Sequence, residues 1–236
     1  MNRADQTPRR GFLGRLLGAF AVVSLPSATH ASAAQESGPD DWLNDVKGAH
    51  RCLFDFPRHA NMMPQLHIFN YLNTYATAYK SALGQAGAVG TFYSMGQQAS
   101  IPLAFNDAMW AKYSLGEYLS LKDASGKPYT HNVFYRPTKD DLHLVMQVLQ
   151  SPTIPALAEA MPAIGIENLQ KMGTKFLLCA NALGGWCLEL EARGKGKMAD
   201  IMKELQANVL PGVTVVPAMV IAIEKAQAAG IRYNRQ

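Results

Sequence analysis

Lys175-Phe176-Leu177-Leu178-Cys179 is an apolar run of strand length that ends on a cysteine. A short, unalternating apolar run is the pattern of a strand buried on both faces. The punctuation downstream is that of α/β units. A helix-forming stretch runs from about Trp186 to Val209, and Pro211-Gly212 marks a turn. Val213-Thr214-Val215-Val216 is a β-branched strand, Ala218 to Ala229 a helix stopped by Gly230, and Ile231-Arg232-Tyr233 a terminal strand.

The same rhythm precedes this stretch. His50-Arg51-Cys52-Leu53-Phe54-Asp55-Phe56 is a strand-like run closed by Pro57, and Leu66 to Leu83 carries apolar and aromatic residues at helical spacing before Gly84. Ala88-Val89-Gly90-Thr91-Phe92-Tyr93 reads as another strand, and Asn106 is placed to cap a helix bearing Met109, Trp110, Tyr113 and Tyr118. Between Lys122 and Lys139, Gly126, Pro128 and Pro137 indicate an irregular excursion, followed by helix-like segments up to Met172. Strands alternating with helices at these intervals define an α/β fold with a mostly parallel sheet and helices on both faces. Residues 49–236 are expected to form one domain, with a long middle insertion at about 96–150.

In such sheets the ligand crevice lies beyond the carboxyl ends of the strands. The reactive residues expected there are Arg58, His59 and Asn61 after the first strand, Ser94 and Gln97 after the second, and Cys179 and Asn181 after the apolar run.

Phe176-Leu177-Leu178-Cys179-Ala180-Asn181-Ala182-Leu183, followed by Leu210-Pro211-Gly212-Val213, Val215-Val216-Pro217-Ala218 and Gln227-Ala228-Ala229-Gly230-Ile231-Arg232-Tyr233, resembles the DsrE-like sulfur-relay superfamily over about the last sixty residues. The resemblance implies a three-layer αβα sandwich, a homo-oligomer, and a sulfur-donor or acceptor protein as partner. In the sulfur-transferring members a cysteine at a strand end carries persulfide sulfur, and Cys179 stands at the matching place. The middle region with Phe105-Asn106-Asp107-Ala108-Met109-Trp110 departs from the short members of the superfamily.

The residues themselves allow two readings of Cys179. Between a buried strand and a helix, its sulfur would lie near helix N-terminal amides, whose partial positive charge favours a thiolate. Equally, cysteine serves as a small apolar residue closing a strand. Cys187 would form a disulfide with Cys179 only if their Cα atoms lay within about 7 Å. Cys52, inside a strand, reads as an inert core thiol. Around the crevice, His59 would orient or protonate a substrate, Arg58 would supply charge for an anion, and Asn61 a polar contact. Asn181 would either face the same pocket or cap the following helix. Asp107 and Trp110 either line a pocket or serve helix capping and aromatic core packing, the simpler account. Two functions follow: a sulfur carrier acting through Cys179, and a non-catalytic member of the same fold that binds a small-molecule ligand or a partner protein.

The other end of the chain bears on where it acts. Arg9-Arg10-Gly11-Phe12-Leu13 sets two arginines before an acid-free apolar run from Leu16 to Leu25, ended by Pro26 and followed by small residues up to Ala34. This is the order of a twin-arginine (Tat) signal peptide, expected to occupy residues 1–33 and to direct the protein to the periplasm or another exported compartment. The apolar run is about half the roughly twenty residues a membrane-crossing helix needs, so no membrane span is expected after cleavage. Residues 34–48, rich in Ser, Gly, Pro and Asp, read as a flexible lead-in, with order beginning near Lys47. Cleavage removes four arginines and one aspartate, leaving 18 basic and 17 acidic residues. A net charge of +1 gives no support to nucleic-acid binding or bulk attraction to an anionic membrane. Three cysteines are too few for a disulfide scaffold. His50, His59, His67, His131 and His143 form no short metal-ligand motif, and there is no GxGxxG, P-loop or GxSxG; the sequence calls for no metal and no cofactor.

Overall fold

The computed structural model describes residues 38–236 apart from residue 83, so the expected signal segment and residues 34–37 lie outside the described residues. Strands β1 (His50–Asp55), β2 (Ala86–Phe92), β3 (Thr174–Cys179), β4 (Val213–Val216) and β5 (Arg232–Arg235) form one sheet in the order β4-β3-β2-β1-β5. Every neighbouring pair is parallel. β2 and β3 are buried almost throughout, as the unalternating apolar runs require. Gly90 at the centre of β2 has a specific use: a Cβ there would come within 2.5 Å of the Phe176 ring, which stacks on Phe92 at 5.1 Å.

Alternation along the strands divides the core. Phe54, Ala88, Phe92, Phe176 and Leu178 face the larger cluster, where α1 (Met63–Thr77) contributes Ile68 and Leu72 and α7 (Ala180–Ala192) contributes Leu183 and Trp186. Leu53, Val89, Leu177 and Cys179 face a smaller cluster closed by Met219, Ala222 and Ala226 of α9 (Met219–Ala228). Helices thus cover both faces, the three-layer α/β arrangement expected. Order begins earlier than Lys47, however. A 3-10 helix at Asp41–Asp45 buries Trp42, and Val46 follows it into the smaller cluster. The polar composition of this segment hid two apolar side chains that the thin layer over this face needs.

The connection from β2 to β3, within which the expected insertion at about 96–150 falls, carries α2 (Asp107–Tyr113), α3 (Leu115–Tyr118), α4 (Leu142–Leu149), α5 (Pro155–Ala158) and α6 (Ile166–Lys171), with 3-10 turns between them. Asn106 caps α2 as the sequence indicates, its side chain accepting from the Met109 amide at 3.2 Å. The irregular 122–139 stretch is buried at Tyr129, Val133 and Phe134. Backbone inside a core needs partners. Asn132 supplies them, donating to the carbonyls of Leu103 and Phe105 and accepting from the Phe134 amide. The expected helix from Trp186 to Val209 is instead two: α7 starts six residues earlier, and α8 (Met198–Ala207) follows a break at Gly194 and Gly196, both at positive φ. The Gly184-Gly185 pair disguised the start of α7; at Gly185 the missing side chain admits Met95, whose sulfur would lie 3.1 Å from a Cβ. Among the described residues no helix is long and apolar enough to cross a membrane.

Candidate functional site

Cys179 is the last residue of β3 and the N-cap of α7. Its side chain points to the face of the smaller cluster, and its sulfur accepts from two backbone amides, Ala182 in the first turn of α7 at 3.4 Å and Met219 at the start of α9 at 3.3 Å. The positive ends of two helices therefore meet at one sulfur atom. The Asn181 amide donates to the Pro217 carbonyl, tying the start of α7 to the turn before α9 and holding the two helix ends together. Asn181 is not the cap; that role belongs to Cys179, two residues earlier, and Asn181 is exposed. Cys179 itself is 5% exposed.

The three cysteines are free. Cys187 lies eight residues along α7, about 12 Å at helical rise and well beyond disulfide reach. It points into the larger cluster, and burial pushes its thiol up to about 12. Burial also raises Cys52, which sits inside β1.

Beside Cys179 stands a group of residues that the sequence did not bring together. Phe92 is in register with Leu178, so Tyr93 and Cys179 emerge side by side from adjacent strands. The Tyr93 hydroxyl donates to Asp55 Oδ1 at 2.8 Å, and Thr91 donates to the same oxygen at 3.3 Å. Tyr233 of β5 donates to Asp55 Oδ2 at 2.7 Å. Asp55 is 5% exposed, and its carboxylate is held by hydroxyls rather than by a cation. Burial, then the hydrogen bond to Asp55, raises the Tyr93 phenol; for Tyr233 the hydrogen bond to Asp55 comes first and burial second.

The residues after β1 lie elsewhere. His59 is 1% exposed and packs edge-on against Phe134, in the larger cluster on the other face of the sheet from Cys179. Its Nδ1 accepts from the Asn61 amide, and its Nε2 is buried. Burial lowers its pKa to about 4, with a backbone contact to Gln97 pulling the other way. Ala60, Asn61 and Met62 all have positive φ, and this left-handed turn swings the chain from β1 into α1. Asn61 donates to Gln147 of α4 at 3.3 Å. His59 and Asn61 line a cavity of about 610 Å³ between this turn and the insertion.

Arg58 is exposed, forms an isolated bridge with Ala99, and does not line that cavity. The expected convergence of Arg58, His59, Asn61, Cys179 and Asn181 on one crevice is therefore not found: His59 and Asn61 share one place, Cys179 occupies another. Asp107 accepts from the Asn132 amide at 2.8 Å, and Trp110 is fully buried with its indole donating to Pro102, so both serve packing. No family model, curated protein or solved structure matches the chain.

Proposed function

We propose that the chain is a DsrE-like sulfur carrier, exported through the Tat route, whose working atom is Cys179 Sγ. The observation that carries this reading is the pair of amides from two helix N-termini on one sulfur at the carboxyl end of β3. Such donors stabilise charge on sulfur and keep the atom oriented. In the reaction the Cys179 thiolate attacks the outer sulfur of a donor persulfide, R–S–SH. A new S–S bond forms, the donor's S–S bond breaks, and R–S⁻ leaves with its electron pair, so no outside oxidant is needed. The product is Cys179–S–SH, and an acceptor thiolate reverses the step. Tyr93 follows Phe92, the register partner of Leu178, and its hydroxyl is anchored by Asp55.

Because Cys179 is almost enclosed, loading is expected to favour small donors over protein persulfides unless a partner opens the edge. The deciding measurement is intact mass after exposure to inorganic polysulfide, followed by reductant, on wild type and Cys179→Ser. A reversible gain of one sulfur, absent in the variant, supports the carrier; no gain on a demonstrably reduced Cys179 removes it.

A further inference from the structure

The loop of residues 122–128 folds back on itself through a bridge between Lys122 and Pro128 and forms one wall of the cavity of about 610 Å³, with α4 forming another. The loop is held mainly by its own groups. The Asp123 amide donates to the Lys127 carbonyl, the Gly126 amide to the Asp123 carbonyl, and Asp123 Oδ1 accepts from Ser125 and from the Lys127 amide. Among the described residues, one hydrogen bond joins this loop to α4, from His143 Nε2 to the Lys122 carbonyl at 2.9 Å.

The same ring makes a second contact. His143 Nδ1 faces the Asp140 carbonyl, also at 2.9 Å. A carbonyl oxygen only accepts, so each ring nitrogen has to donate. A neutral imidazole carries one N–H, and the two bonds together need the imidazolium, which carries two. Whichever nitrogen gives up its proton, a lone pair then faces a carbonyl oxygen and the ring no longer bridges both. His59, in the opposite wall, shows the other bonding pattern: its Nδ1 accepts from an amide, as only an unprotonated nitrogen can.

The surroundings favour a cation. Asp140 and Asp141 stand in the turn before α4, and Asp123 in the loop. Burial, then Asp141, Asp123 and Asp140, raise the Tyr129 phenol, so the three carboxylates gather at one corner. The Ser125 hydroxyl and the Lys127 amide hold the Asp123 carboxyl below the usual carboxylate range. The cations at this corner are Lys122 and Lys127 of the loop and Lys139, which is paired with Glu159. The 59–61 turn, which meets α4 through Asn61 and Gln147, brings His59, and His131 stands edge-on to Tyr129.

We propose that His143 is a proton-operated latch: as an imidazolium it ties the 122–128 loop to the start of α4, and on losing a proton it releases the loop, so that pH sets one wall of the cavity. The latch is complete on the acid side and is lost as pH rises. It uses no residue of the Cys179 edge and is independent of the sulfur chemistry.

The test is amide hydrogen exchange of the full chain at about pH 5 and about pH 8, the limits between which histidine changes charge. Each rate is divided by that of an unstructured peptide at the same pH, and ¹⁵N spectra of the histidine rings are recorded alongside. Protection of the Asp123, Gly126 and Lys127 amides is expected to fall about tenfold from the lower to the higher pH, the worth of one hydrogen bond from a charged donor. The fall should follow the His143 ring signals, while β2 and β3 keep their protection. His143→Gln is expected to abolish the pH dependence and His131→Gln to preserve it. Loop protection that does not change with pH in the wild type overturns the proposal. So does an undiminished response in His143→Gln, a response lost in His131→Gln, or a His143 ring that carries a single proton at the acid limit.

Discussion

The Cys179 sulfur is an acceptor before it is a nucleophile. It caps α7 and takes the Met219 amide as well, so Cys179→Ala strands two amides at once. Losing an N-cap and leaving buried donors unpaired is expected to cost about 1–2 kcal/mol. Cys179→Ser keeps an acceptor of similar size and is expected to stay within about 0.5 kcal/mol of wild type. Urea unfolding of the two variants distinguishes them; an alanine variant as stable as wild type would mean that the sulfur holds neither amide. The comparison also makes serine the proper control for sulfur loading, since it removes the chemistry and preserves the cap. Cys179 itself was legible because an apolar run ended on it. Its second donor was not, because Met219 lies 40 residues further along.

Strand β5 is four exposed residues at the sheet edge, and such a strand is held by little besides its ladder. Here the Tyr233 hydroxyl pins it to Asp55 on β1, and the Gln236 amide donates to the Asp55 carbonyl. Tyr233→Phe removes the first tie. The expected result is faster hydrogen exchange of the Arg232–Arg235 amides, with β2 and β3 unchanged and a global loss of about 1 kcal/mol. Uniform acceleration across all strands would show instead that β5 opens only with the whole domain. The sheet was readable at this scale because β1, β2, β3 and β4 are apolar or β-branched runs between turn residues. The Asp55 network was not readable, because its tyrosines stand 38 and 178 residues away and meet it only through the order β2-β1-β5. The cavity escaped for the same reason: its far wall belongs to the insertion, whose path no periodicity sets.

For the molecule as a whole, buried titratable groups bound the pH range of stability from both sides. His59 has its folded pKa lowered from 6.5 to about 4, so the unfolded chain takes up a proton that the native ring refuses. Its contribution is complete above pH 6.5 and is lost as pH falls from there towards 4, by on the order of 3 kcal/mol. On the alkaline side, burial raises Tyr71, Tyr93, Tyr113 and Tyr129 above the ordinary value of 10. The unfolded chain then loses protons that the native phenols keep. Stability present below pH 10 therefore declines as pH rises past it. Urea midpoints across pH should trace a plateau with two falling limbs. Carboxylates also titrate on the acid limb, so the informative measurement is the difference between wild type and His59→Gln. The variant is expected to fall less steeply between pH 6.5 and 4 and to follow wild type above pH 10. Parallel acid limbs would place the His59 ring in contact with water.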